Sequence, residues 1–314
     1  MSPGSSRRPR LSVVVRWVAV GAIVVCLCWT VRGQDWSAAR PVLTLRALPY
    51  LAASGALNVL ALGCAMLSWR SIMAEVGHPL PRLQAARIYF FGMTAKYLPG
   101  QFWVAITQAR LAKRAGVPSR ASIAVFLLNV PVILLTGLLV GALAGPGVLG
   151  GWGWLLLAPA ALLAVVLLRP EVVGRTAAVV ARLVRQKPPA VTTGGRTRAA
   201  VCWLLACRLV SGLHLWLLVL ALGAPAMRSL PLSIGAFSLA AVSGMLVVFL
   251  PDGAVVRELL TAGILVQVLP VTAAAAAAIA SRAICLGSEL LLMAVLLGNA
   301  ALVRNREAPA RQGV

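Results

Sequence analysis

The chain has 314 residues, 61% of them hydrophobic and only 11% charged, with a net charge of +22. That composition lies far outside the range of soluble globular domains, and several runs of about 20 apolar residues are each long enough to cross roughly 30 Å of hydrocarbon. The excess of Lys and Arg falls in short segments between the apolar runs, as the positive-inside rule expects, which argues against nucleic-acid binding and for a multi-pass protein of the cytoplasmic (inner) membrane with no soluble domain.

Arg7-Arg8-Pro9-Arg10 precedes an apolar run that continues to about Val31. The run is too long for an ordinary signal peptide and lacks a small-x-small cleavage site, so about 12–31 reads as a retained first span. A connection bearing Arg32, Asp35, Arg40 and Arg46 leads to a second span at about 47–69. Residues 70–82 read as a loop, marked by Pro79 and Pro81 and carrying Arg70, Glu75, His78 and Arg82. A helix of about 83–97 follows and is broken at Lys96-Tyr97-Leu98-Pro99-Gly100, because Pro99 cannot donate a backbone hydrogen bond and Gly100 does not hold a helix. A second helix of about 101–114 ends in Arg110, Lys113 and Arg114, before the stop signals Gly116 and Pro118. A third span at about 121–144, an uncharged turn at 145–151 and a fourth span at about 152–168 complete the first half.

The segment 169–198 carries seven basic residues. Its first half is amphipathic at helical period, with Val172, Val179, Leu183 and Val184 on one face and Arg175, Arg182 and Arg185 on the other. It suits either an anionic membrane surface or an ordinary solvated helix. Thr192 to Arg198 reads as a flexible linker. A fifth span at about 199–222 leads to an apolar helix of about 232–249, a second break at Pro251-Asp252-Gly253, a short helix of about 254–268, a sixth span at about 272–299 and a basic tail at 300–314.

If 83–114 and 232–268 are hairpins that dip into the bilayer and return, and both termini are cytoplasmic, 21 of the 29 basic residues lie on the cytoplasmic side. Four lie outside (Arg32, Arg40, Arg46, Arg228) and four within the membrane (Lys96, Arg208, Arg257, Arg282). The fold expected is therefore an all-α polytopic membrane protein in a single domain, with about six spanning helices and two re-entrant helical hairpins. The hairpins enter from opposite sides, and the halves, about 12–144 and 152–299, form an inverted repeat. The aromatic-Leu-Pro match between Tyr97-Leu98-Pro99 and Phe249-Leu250-Pro251 falls at corresponding places in the halves.

Ionisable residues inside the membrane are costly and mark function by default. Seven are expected there: Lys96, Arg208, Asp252, Arg257, Glu258, Arg282 and Glu289, leaving the interior one unit positive. Arg282 and Glu289 are two helical turns apart, on one face of the last span; Gln101 and Gln108 have the same spacing, with Trp103 nearby. Two helix starts, at Gln101 and near Ala254, present unpaired N–H groups that favour anions. With Lys96 and Arg257 they suit a phosphate-bearing head group; the other reading is that the charges pair only to hold bent helices together. Arg208 is placed near the start of its span, where it could snorkel to the interface. His214 reads as a satisfied interior histidine. The six cysteines, Cys26, Cys28, Cys64, Cys202, Cys207 and Cys285, match no zinc spacing and read as small buried thiols. No metal or cofactor motif and no hydrolase or Walker signature is present, so neither an enzyme nor a cofactor is expected.

Lys96-Tyr97-Leu98-Pro99-Gly100-Gln101-Phe102-Trp103, followed by Arg110 to Val117, resembles the first signature of the lysylphosphatidylglycerol synthase transmembrane-region family, which includes flippases. Phe249 to Glu258 resembles the family's Pro-Gly-Gly-x-Gly-x-Arg-Glu segment, and Arg282 and Glu289 match its last helix. Two departures stand out: Asp252 and Ala254-Val255 replace part of the Gly-rich run, and Asn129 is the nearest equivalent of an acidic or amide residue after the first hairpin. The 314 residues leave no room for a soluble aminoacyl-transferase domain, so this chain is not expected to make an aminoacyl lipid itself.

The resemblance implies a flippase that moves an anionic phospholipid or lipid-linked glycan intermediate between leaflets. Its substrate site would comprise Lys96, Tyr97, Gln101, Trp103, Arg257 and Arg282. Asp252, Glu258 and Glu289 would balance charge or carry protons, and Pro99, Gly100, Pro251 and Gly253 would shape the breaks. The alternative is a non-transporting membrane partner or regulator of an envelope glycosyltransferase, docking through 169–198. An aminoacyl-transferase is a further candidate partner.

Overall fold

The computed structural model describes residues 36–97, 102–145, 157–168, 195–247 and 250–307, which form helices and turns with no strand among them. The first span, the amphipathic segment 169–194, Cys26, Cys28, Phe249, and the break residues Leu98, Pro99, Gly100 and Gln101 lie outside the described residues. Nine α-helices are described: α1 (Leu48–Glu75), α2 (Arg82–Met93), α3 (Phe102–Arg114), α4 (Ser119–Gly141), α5 (Leu157–Leu168), α6 (Gly195–Ala221), α7 (Ala226–Leu246), α8 (Val256–Leu265) and α9 (Val271–Glu307). Short 3₁₀ turns at Thr94–Tyr97 and Pro251–Gly253 occupy the two sequence breaks.

Among the described residues, five helical stretches are long and apolar enough to cross a membrane: Leu45–Glu75, Ser119–Ala144, Gly195–Ala221, Ala226–Leu246 and Val271–Asn299. This is a multi-pass membrane protein. Leucines that would be buried in a soluble protein stay exposed on α9 (Leu290, Leu291, Leu297), as a lipid-facing surface requires.

Several boundaries differ from the expected ones. α1 continues to Glu75 rather than stopping near 69, and Glu75 is buried instead of lying in a loop. Its Oε2 accepts the N–H of Thr197 at 3.0 Å, in the first turn of α6, where a carboxylate meets the positive end of the helix dipole. α7 starts at Ala226, capped by Pro225 and with Pro231 in its second turn, and so is long enough to span rather than beginning at 232. Cys202 is exposed beside Trp203, whereas Cys64 is buried. α3 stops as expected: Gly116 adopts φ 79°, its N–H bonds to Lys113 O, Val117 N–H bonds to Ala112 O, and Pro118 follows.

The buried apolar residues form two main cores. One joins the end of α1 with α2, α3 and the start of α4 through Trp69, Met73, Ile88, Phe90 and Val125. The other joins the end of α6 with α7, α8 and the start of α9 through Leu215, Leu218, Phe237, Leu265 and Ala277. α1 packs along α6, and the Ser54 hydroxyl donates to His214 O at 2.8 Å. Each helical pair thus sits on its own core, and the turns Thr94–Tyr97 and Pro251–Gly253 meet between them.

Candidate functional site

The two turns carry the charges. α2 unwinds into the 3₁₀ turn Thr94–Tyr97, and α2 and α3 lie close because Gly92 leaves room for the Gln108 side chain; a Cβ at Gly92 would fall 2.2 Å from Gln108 Cγ. Lys96 therefore emerges at the end of a tightly paired hairpin. The second turn is sharper. Asp252 (φ 48°), Gly253 (φ 63°) and Val255 (φ 73°) all have positive φ within four residues. Asp tolerates the left-handed region, but a β-branched valine there is an outlier, so the turn holds strain at Val255. Gly253 lies directly on the Gly244 backbone of α7, and the missing side chain of Gly244 makes room for the Arg257 stem.

The side chains that emerge form one network. Asp252 Oδ2 lies 3.4 Å from Lys96 Nζ, 3.4 Å from Arg257 Nη1 and 2.7 Å from Arg282 Nη1. Lys96 also bonds Glu289 Oε1, and the Tyr97 hydroxyl donates to Glu289 Oε2 at 2.7 Å. Arg282 Nε lies 3.5 Å from Glu258 Oε1. Three cations and three carboxylates, from α2's end, the second turn, α8 and α9, are thus joined, with side chains only 10% to 24% exposed. Arg257 additionally lies over the Phe237 ring, 5.7 Å from its centroid. Ion pairs this shielded attract strongly, and breaking one strands its partner.

A family comparison bears on this arrangement. The family model described as "Lysylphosphatidylglycerol synthase TM region" matches residues 16–292. The chain belongs to this family. No curated protein and no solved structure matches it.

In this member of the lysylphosphatidylglycerol synthase transmembrane-region family, a cavity of about 160 Å³ adjoins the network. Lys96, Asp252 and Arg257 line one part of it, and Gln108, Asn129 and Tyr89 another. Asn129 Oδ1 is buried without a hydrogen-bond partner among the described residues, so the cavity retains unused acceptor capacity. Of the expected site residues, Lys96, Tyr97, Asp252, Arg257, Glu258, Arg282 and Glu289 come together. Trp103 lies on the first turn of α3 and is 44% exposed. Gly253 forms the contact with Gly244, and Pro251 opens the 3₁₀ turn. Gln101, Pro99 and Gly100 lie outside the described residues. The second helix start falls at Val256 rather than near Ala254, because the positive-φ residues extend to Val255.

Two interior residues stand apart. Arg208 does not snorkel. α6 begins at Gly195, so Arg208 is thirteen residues along it, roughly 20 Å from its start at 1.5 Å per residue. It is buried, and its Nη2 donates to Ile133 O of α4 at 3.0 Å. The network proper is therefore charge-balanced, and the surplus positive charge sits at Arg208. His214 has partners at both ring nitrogens, Ser211 O at Nδ1 and Ser281 Oγ at 2.9 Å from Nε2. Reading the sequence missed Phe237, Gly244 and Tyr89, since one aromatic or one glycine in an apolar helix carries no spacing signal.

Proposed function

We propose that the protein moves an anionic phospholipid, or a lipid-linked glycan intermediate, between the leaflets of the cytoplasmic membrane, and that it is a transporter rather than an enzyme. The observation that carries this reading is the convergence of Lys96, Arg257 and Arg282 on one carboxylate, that of Asp252. Asp252 occupies the space that a phosphate suits. A phosphate brings negative charge and several acceptor oxygens to the same three donors, and Arg pairs with phosphate through its planar fork. As a head group enters, Asp252 withdraws, and Glu258 and Glu289 keep the remaining charge balanced or carry protons.

An inverted repeat supplies the motion. In this proposal α1 corresponds to α6, α2–α3 to α7–α8, and α4 to α9. The direct packing of α1 on α6, the separate cores beneath each helical pair and the meeting of the two turns support it. Both hairpins then dip in from opposite faces, both termini are cytoplasmic, and rocking of one hairpin against the other alternates access. α7 is long enough to span fully, and its sharp reversal after Gly244 supports a return.

The even balance of three cations against three anions favours a second reading, in which the network is a structural clamp. The protein would then be a non-transporting partner that anchors or regulates an envelope glycosyltransferase or an aminoacyl-transferase. Purified protein reconstituted into vesicles with a panel of fluorescent anionic, zwitterionic and glycan-linked lipids separates the two. Selective translocation of an anionic lipid supports the transporter; no translocation across the panel sinks it.

A further inference from the structure

A second cavity lies away from the charge network, at the open base of the α2–α3 hairpin. It is a shallow, open hollow of about 240 Å³, lined by Arg87, Ile88 and Phe91 of α2 and by Leu111, the exposed Arg114 and Ala115 at the end of α3. Among the described residues neither guanidinium forms an ion pair, and Arg87 Nε is buried without a hydrogen-bond partner. A shielded guanidinium nitrogen with no acceptor carries a desolvation cost that a bound anion would remove.

The order of residues along the two helices is informative. In the re-entrant arrangement proposed above, on which this inference rests, depth increases with residue number on α2 and decreases on α3. Phe91 lies one turn deeper than Arg87, and Leu111 nearly one turn deeper than Arg114. Both walls therefore read the same way, cation at the outer level and apolar side chain below. Nine residues separate Arg87 from Lys96, roughly 14 Å at 1.5 Å per residue, close to the half-thickness of about 15 Å of a bilayer's hydrocarbon. With Lys96 near the midplane, the Arg87 backbone stands at the edge of the hydrocarbon, and its long side chain can reach outward to the lipid phosphates.

We propose that this cavity binds one anionic phospholipid of the surrounding leaflet, its phosphate between Arg87 and Arg114 and the first part of an acyl chain against Ile88, Phe91 and Leu111. The occupant is a lipid and not a segment of this chain. The long connection 169–198 carries seven basic residues and one acid, and so repels the two guanidiniums. It is not free phosphate either, which would leave the apolar half of the cavity unfilled.

The test uses the full chain purified in detergent, with phosphatidylglycerol titrated and retention read by native mass spectrometry. Arg87→Gln with Arg114→Gln should lose one tightly held lipid, the apparent affinity falling about tenfold. Ala115→Phe fills the cavity with both charges intact and should lose the same lipid. Arg110→Gln with Lys113→Gln removes equal charge nearby and should stay within about twofold of wild type, because diffuse attraction is screened. Equal loss in that last variant would mean general surface electrostatics and overturn the site. So would retention of phosphatidylcholine as tight as phosphatidylglycerol, or displacement of the lipid by millimolar inorganic phosphate. Transport is not part of the readout, so failure here leaves the central network's role untouched.

Discussion

Asp252 accepts from three cations at once, which makes it the residue whose removal says most. Asp252→Asn keeps the side chain's size but withdraws the shared negative charge, leaving Lys96, Arg257 and Arg282 to repel one another. Thermal stability in detergent should fall. Binding of a phosphate-headed lipid at this site should tighten by about tenfold, because the internal competitor has gone. The opposite pair of signs would mean that Asp252 helps hold the substrate. Lys96 and Glu289 give a second case. Lys96→Met and Glu289→Gln should each destabilise by about 3 kcal/mol, and the double variant by clearly less than the sum, since each single change strands a shielded charge. Unfolding measured on all four proteins of the cycle decides it, and strict additivity would mean the pair is not coupled.

The turns set the element scale. Gly253 needs positive φ and also touches the Gly244 backbone, where an added Cβ would fall 2.2 Å from Gly244 Cα. Gly253→Ala should therefore cost at least about 2 kcal/mol, more than an alanine at Gly263, where nothing lies within 4 Å of an added Cβ. Comparable melting of the two variants would show that the second turn is looser than its geometry. These turns also mark what was legible beforehand. Lys96 and Pro251-Asp252-Gly253 stood out because a charge and helix breakers in apolar surroundings violate local rules. The two-turn spacing of Arg282 and Glu289 placed them on one face but not with their partners: Arg282 meets Asp252 and Glu258, and Glu289 meets Lys96 and Tyr97. That Asp252 would take all three cations was not legible, since a carboxylate's partners depend on how distant turns meet. Helix limits failed where tertiary contacts outweighed composition: Glu75 is drawn into α1 by the start of α6, α6 begins four residues before the expected 199, and Arg208 is buried against α4 rather than free to reach an interface.

Across the whole molecule, the charge distribution predicts which side each loop faces. Cysteines introduced at His78 and Arg228, in a background lacking the native thiols, should label from opposite sides of sealed inside-out and right-side-out vesicles. His78→Cys should react from the cytoplasmic face and Arg228→Cys from the outer face. Labelling of both from one side would overturn the inverted-repeat topology, because those loops stand at the two hairpin entries.

Transport by site variants decides whether the charge network handles the lipid head group. In vesicles that translocate a fluorescent anionic lipid with the wild-type protein, Lys96→Ala and Arg257→Ala should each lower the rate by about tenfold or more, as loss of a charged phosphate contact requires, while Trp203→Ala, on the exposed side of α6, should not. Wild-type rates in both Lys96→Ala and Arg257→Ala, with both proteins folded, would mean that the network does not hold the lipid phosphate.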